Sequence, residues 1–221
     1  MIGEFVSSAA LYAVPLLLGV ICHEVAHGWM AEKLGDPTAR LMGRITLNPI
    51  VHIDLVGTIL LPAILLVIGS PFLFGWAKPV PVNFNALRGG RRDMALVAIS
   101  GPLVNFLLAA VSGLIYRSLL WGLQYGYLPR TPGMVWLLEP VLLMAGMSVT
   151  FNLVLMVINL LPIPPLDGGR VMVGLLPVRL AAGLARLEPF GMLIVLILIG
   201  TKLWGYLVHP VIDVFRRLIL G

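Results

Sequence analysis

Two histidines four residues apart flank a glutamate in the stretch His23-Glu24-Val25-Ala26-His27. On an α-helix, side chains at i and i+4 share a face, so both imidazoles point the same way. That is the spacing of two zinc ligands, with the intervening glutamate placed as a general base for water. The chemistry this group supports is metal-assisted hydrolysis. The surroundings sharpen the point, because residues 11–30 read LYAVPLLLGVICHEVAHGWM and Glu24 is the one charge among them. A carboxylate and two imidazoles in so apolar a segment are costly unless they pair or bind something.

The elements that must hold these residues are membrane-grade. Of the 221 residues, 59% are hydrophobic and 11% are charged, whereas an average soluble domain is about 25% charged. Several runs approach the roughly 20 apolar residues that cross a bilayer. The sequence therefore predicts an all-α polytopic membrane protein with about five to six membrane segments. Short β or re-entrant elements are expected near the site. Residues 1–221 read as one integral-membrane domain, with a catalytic core over about residues 5–187 and a last span at 189–208. The net charge of +5 comes from short basic clusters between apolar runs, which fits the positive-inside rule. With no aromatic-interleaved basic patch and no Gly-rich phosphate loop, the lipid bilayer, not nucleic acid, is the expected partner. Cys22 stands alone, so no internal disulfide framework is possible. It reads as a small buried side chain, turned away from His23 around the helix. The first residues have no basic segment ahead of the apolar run, so they read as a retained span and not a cleaved leader.

The first span is expected over about residues 5–34, stopped by Gly35-Asp36-Pro37. His23 then lies about 16 Å of helix before that end, submerged but nearer the Lys33 side. Residues 44–47 suggest a short strand. The run at 55–69 is short and holds Pro62, so it is marginal as a span. Pro79 and Pro81 suggest an extended edge segment. Further runs cover about 94–123 and 136–161. A weaker segment reaches Leu187, and an amphipathic tail carrying Arg216 and Arg217 comes after the last span.

Catalytic zinc usually takes three protein ligands and keeps one position open. His209 precedes Pro210 at a span end and needs no special role. His52 sits beside Asp54 in a polar turn, where local capping is favoured over ligation. Asp167 is the stronger candidate, a lone carboxylate after Pro162, Pro164 and Pro165 and before Gly168 and Gly169. The alternative is an ordinary loop aspartate capping the next helix. If Asp167 joins the histidines, the ends of the first and fourth runs share one side of the membrane. An even number of crossings must then separate them, so one run does not cross. The second is the shortest, and residues 55–75 are therefore expected to form a re-entrant element, a half-membrane element or a short hairpin. Arg40, Arg44, Arg88, Arg91, Arg92, Arg170, Arg179 and Arg186 then share one face, which the charge rule makes cytoplasmic. Arg117 and Arg130 fall opposite. The expected location is multi-pass in the cell membrane, with the site nearer the cytoplasm.

The motifs HEVAHG at 23–28, GRITLNP at 43–49, HIDLVGT at 52–58, GWAKPVPVN at 75–83, SGPLVN at 100–105 and NLLPIPPLDGGR at 159–170 carry a resemblance. Over about residues 11–170 the chain resembles the site-2 protease family of intramembrane zinc metalloproteases, in its small form lacking a PDZ domain. The resemblance implies one zinc ion per chain on His23, His27 and Asp167, with Glu24 as general base. It also implies that Asn159 faces the site and hydrogen-bonds the oxyanion. The implied substrate is a transmembrane protein, cut in or near a membrane segment in regulated intramembrane proteolysis. Without the resemblance, an amide in an apolar helix needs a partner, and interhelical bonding is the plain role for Asn105 and Asn152 and an open alternative for Asn159. The rival reading is a zinc-binding membrane transporter or scaffold without proteolysis. A transporter would line a path with polar residues on several spans, whereas here they converge on one place.

Overall fold

In the computed structural model, which describes residues 2–68, 75–201, 205, 206 and 208–221, both histidines lie on one long helix, α1 (Ile2–Lys33). Its end is set by local chemistry. Gly35 takes φ +113°, which glycine adopts without steric cost. The Asp36 N–H then reaches back to Ala31 O at 2.9 Å and the Gly35 N–H to Glu32 O at 3.2 Å, closing a Schellman cap.

Asp36 anchors the segment beyond this cap. It is fully buried, and its carboxylate accepts the Thr38 hydroxyl, the Thr38 N–H at 3.0 Å and the Asn83 N–H at 2.6 Å. Burial alone would raise its carboxyl, but the hydrogen bonds from Thr38 and Asn83 outweigh it and hold the group below the usual carboxylate range. A carboxyl that titrates lower in the folded chain stabilises fully above about pH 4, its ordinary value. That contribution fades as pH falls through the folded value. In Asp36→Asn, one side-chain oxygen becomes an NH2 group that cannot accept the Asn83 N–H. The expected loss is about 1–3 kcal/mol at pH 7, read as a lower unfolding temperature in detergent. The variant should approach wild type as the pH is lowered towards 3, and a gap that stays constant would overturn the account.

Residues 34–88 leave and return at the same end of α1. The excursion contains α2 (Thr38–Leu41), a 3₁₀ turn (Pro49–His52), a π-helical stretch (Leu55–Leu60) running into α3 (Leu61–Val67), and a second 3₁₀ turn (Phe84–Ala86). It is closed at its root, where the Arg88 N–H donates to Leu34 O at 3.1 Å, and at its neck, where the Lys78 N–H donates to His52 O at 2.9 Å. The two ends of residues 34–88 therefore lie side by side at one end of α1. Residues 69–74 of the expected 55–75 element lie outside the described residues. The strand expected at 44–47 is absent: that stretch is irregular with a bend at Ile45 and Thr46, and there is no strand among the described residues. Residues 75–83 carry no regular secondary structure, and their backbone N–H groups donate to Gly57 O, His52 O and the side chains of Glu24 and Asp36.

The remaining helices are α4 (Arg91–Gln124), α5 (Pro132–Asn159), α6 (Asp167–Leu175), α7 (Val178–Ala185), α8 (Glu188–Gly200) and α9 (His209–Leu220). Among the described residues, three helical stretches are long and apolar enough to cross a membrane: Leu11–Lys33, Arg91–Gln124 and Pro132–Asn159. A fourth is reached if α7 and α8, bent by 65°, count as one span. The all-helical architecture is thus as expected, and three to four of the expected five to six segments are long enough to span. The plain span expected at 189–208 breaks at Thr201, where the backbone turns extended. That leaves α8 with 13 residues, about 20 Å of helix against a hydrocarbon core of about 30 Å.

α1 packs on both α4 and α5, and α6 packs on α4. Between membrane helices lipid offers no hydrophobic drive, so close packing and interhelical hydrogen bonds must hold the bundle. Ala109, Val149, Leu153, Met156, Val157, Leu198, Val208 and Ile212 form the larger buried cluster.

Candidate metal centre

His23 and His27 are 7% and 9% exposed, buried where α1 meets α4. Their rings sit edge to face, with centroids 4.6 Å apart, and their Nε2 atoms are 3.0 Å apart. Asp167 closes the group. The α5 helix stops at Asn159, residues 160–166 turn back, and Asp167 opens α6. The turn is tight: a Cβ on Gly168 would strike Leu160 O, and one on Gly169 would strike the Ile163–Pro164 backbone. Both positions must be glycine for α6 to start so close to the turn. The capping role is not the one Asp167 plays, since no side chain caps α6. Its Oδ2 lies 3.0 Å from His23 Nε2 and 3.3 Å from His27 Nε2.

The far side of each ring decides its protonation. His23 Nδ1–H donates to Asn105 Oδ1 at 2.6 Å, and His27 Nδ1–H donates to Val97 O at 2.8 Å. Val97 O is a carbonyl and can only accept, so Nδ1 of His27 carries the proton and Nε2 presents its lone pair. Two such lone pairs and a carboxylate oxygen then face one point, and the ligand atoms of all three residues lie within 4.8 Å of one another. Asp167 Oδ2 is buried with no hydrogen-bond partner. Three converging acceptors repel one another unless a cation lies between them. A nitrogen–nitrogen–oxygen donor set with ring N–H groups anchored behind it fits zinc.

Glu24 stands next to this group in sequence, and its Oε2 accepts the Val80 N–H at 2.7 Å. Val80 thereby ties the segment 75–83 to the residue beside His23. Asn159 gives one amide hydrogen to Leu155 O of its own helix at 3.0 Å. His52 lies apart from the cluster and donates Nε2–H to Thr46 O at 2.9 Å. His209 pairs with Asp213, one turn on, at 3.3 Å on an exposed helix face. Cys22 is a partly buried free thiol outside the ligand group.

Three participants are not evident from residue type and spacing. Val97 and Val80 act through backbone atoms, which leave no trace in side-chain identity. Gly101 approaches the histidines so closely that a Cβ there would sit 2.5 Å from His27 Nε2 and 2.7 Å from His23 Nε2. Asn105, expected as an interhelical bonding group, does bridge helices, and it also holds a histidine of the cluster. A glycine and an amide four residues apart inside an apolar helix were the available signal for both.

The chain is 38% identical over 213 residues to a Bacillus subtilis protein named "Putative zinc metalloprotease YwhC", covering 94% of this chain and 88% of that one. It is 27% identical to the similarly named Rip2 of Mycolicibacterium smegmatis, over 84% of this chain and 64% of the relative. With Rip2 of Mycobacterium tuberculosis H37Rv the identity is 29%, over 89% of this chain and 67% of the relative. No family model matches the chain, and no solved structure matches it.

Proposed function

Because this chain belongs to the site-2 protease family of zinc metalloproteases, we propose that it hydrolyses a peptide bond in or near a transmembrane segment of a protein substrate. The observation that carries the proposal is the convergence of His23 Nε2, His27 Nε2 and Asp167 Oδ2 on one point inside an apolar bundle. These three residues would hold one zinc ion. When bound, zinc supplies Lewis acidity, polarising the scissile carbonyl and acidifying water. The chain's own residues do the rest. Glu24 takes the proton of the attacking water and returns it to the leaving nitrogen. Asn159 keeps a second amide hydrogen beyond the one given to Leu155 O, and donates it to the oxygen of the tetrahedral adduct. The α4–α5 bundle excludes bulk water from one side of the site, which strengthens each of these interactions. Multi-pass residence in the cell membrane, with the site on the cytoplasmic side of mid-depth, completes the reading.

The direct test uses purified full-length chain in lipid nanodiscs with a panel of membrane-helix substrates. Stripping metal with a chelator should abolish cleavage, and stoichiometric zinc should restore it. Undiminished cleavage by chain shown to be metal-free would overturn the proposal. Zinc binding without cleavage of any substrate would instead favour a transporter or scaffold.

A further inference from the structure

A buried polar chain runs away from His23 into the apolar bundle. Asn105 is fully buried on α4, and its Oδ1 accepts His23 Nδ1–H at 2.6 Å. Its Nδ2 donates to Gly19 O on α1 at 3.1 Å and to Asn152 Oδ1 on α5 at 2.8 Å. Asn152 Nδ2 donates in turn to Ser148 O at 2.9 Å and lies 3.2 Å from Ser148 Oγ, which meets Ser112 Oγ at 2.8 Å.

We propose that Asn105 is a positioning residue that fixes the tautomer and the ring orientation of His23, so that Nε2 is presented to the metal as a lone pair. The proposal rests on the metal reading above and extends it to a residue outside the ligand set. The direction of the asparagine bonds in the chain is set by its carbonyl ends. Gly19 O can only accept, so the amide nitrogen of Asn105 must face it and Oδ1 must face His23. Ser148 O likewise can only accept, so Asn152 presents Oδ1 to Asn105. With Oδ1 set from two sides, the proton of His23 must sit on Nδ1. The opposite tautomer would set two acceptors against each other at 2.6 Å, inside an apolar bundle that cannot hydrate them.

A proton path through the same chain is excluded by its chemistry. Amide nitrogens do not readily give up and regain protons, and two asparagines in series interrupt any relay. The chain is an orienting brace. It also ties the metal ligand to three helices at once, since His23 and Gly19 are on α1, Asn105 is on α4 and Asn152 is on α5. Partners that hold a metal-ligating histidine by its other ring nitrogen typically contribute 10–100-fold, in order of magnitude, to metal affinity.

The test uses the full-length chain with two variants, Asn105→Leu and Asn152→Leu. Each is read by zinc affinity from chelator competition and by ¹⁵N shifts of His23 in the metal-free chain. Thermal unfolding serves as the check on folding. Asn105→Leu should bind zinc about 10–100-fold more weakly and lose the uniform Nδ1–H form. Asn152→Leu leaves Gly19 O to orient Asn105 and should stay within a few-fold of wild type. The proposal is overturned if folded Asn105→Leu keeps both wild-type affinity and the Nδ1–H form. It is equally overturned if Asn152→Leu loses as much as Asn105→Leu, because the effect would then come from bundle packing. A wild-type chain that binds no zinc would sink the metal reading alone. The tautomer in metal-free Asn105→Leu still decides the role of Asn105 in that case.

Discussion

Glu24→Gln should bind zinc as wild type does and cleave membrane-helix substrates at least about 10²–10⁴-fold more slowly, the contribution of a positioned general base. The substitution is well suited to separate chemistry from structure. Glu24 is not among the three converging ligands, so metal occupancy should be unchanged. Its structural contact is also preserved, because a glutamine oxygen can still accept the Val80 N–H that Glu24 Oε2 now holds. What disappears is the capacity to take a proton from water and return it to the leaving nitrogen. Single-turnover cleavage with equal zinc loading measures the difference. A loaded variant that cleaves at the wild-type rate would remove Glu24 from the mechanism and with it the protease reading.

Gly101→Ala should abolish stoichiometric zinc binding, lowering affinity by at least about 100-fold, and should abolish activity with it. The added methyl would lie 2.5 Å from His27 Nε2 and 2.7 Å from His23 Nε2, the atoms that face the metal. The rings cannot easily retreat, since Nδ1 of each is bonded to α4 itself, at Asn105 and Val97. The sign makes the result decisive. Inside a helix, glycine to alanine ordinarily stabilises by about 0.5–1 kcal/mol. A variant that folds as well as wild type, or better, yet holds no zinc would locate the defect at the metal centre. Metal analysis together with a melting curve separates the two effects, and a variant with full zinc content would show that α4 can step back from the site.

Much of the site could be read from residues alone, for reasons that differ by residue. His23, Glu24 and His27 are local, so helical periodicity alone places them together. Asp167 was legible as a candidate, a lone carboxylate among prolines and glycines after an apolar run, but a capping role fitted the sequence equally well until α6 proved to have no side-chain cap. The stop at Gly35-Asp36-Pro37 was legible because a Schellman cap is built from a few adjacent residues. Asn105 was harder. It meets His23 across a sequence separation of 82, and an amide in an apolar helix looks alike whether it braces a neighbour or a ligand. Val80 could not be read, because the bond to Glu24 uses a backbone N–H. Apolar length and helix length also differ at the last span. Residues 189–208 are mostly apolar, but Thr201 ends α8 after 13 residues. The strand expected at 44–47 had the right residue types and no neighbour to pair with, and β-propensity without a partner strand produces a bend.

The two hydrogen bonds that close the excursion from α1 have a consequence for how the family could diversify. Lys78 N–H to His52 O pinches residues 53–77 into a loop whose neck is fixed independently of its contents. Closing a flexible loop costs only about 0.6 kcal/mol more for each doubling of its length. Insertions and deletions beyond the neck are therefore nearly neutral for the metal ligands, which all lie outside it.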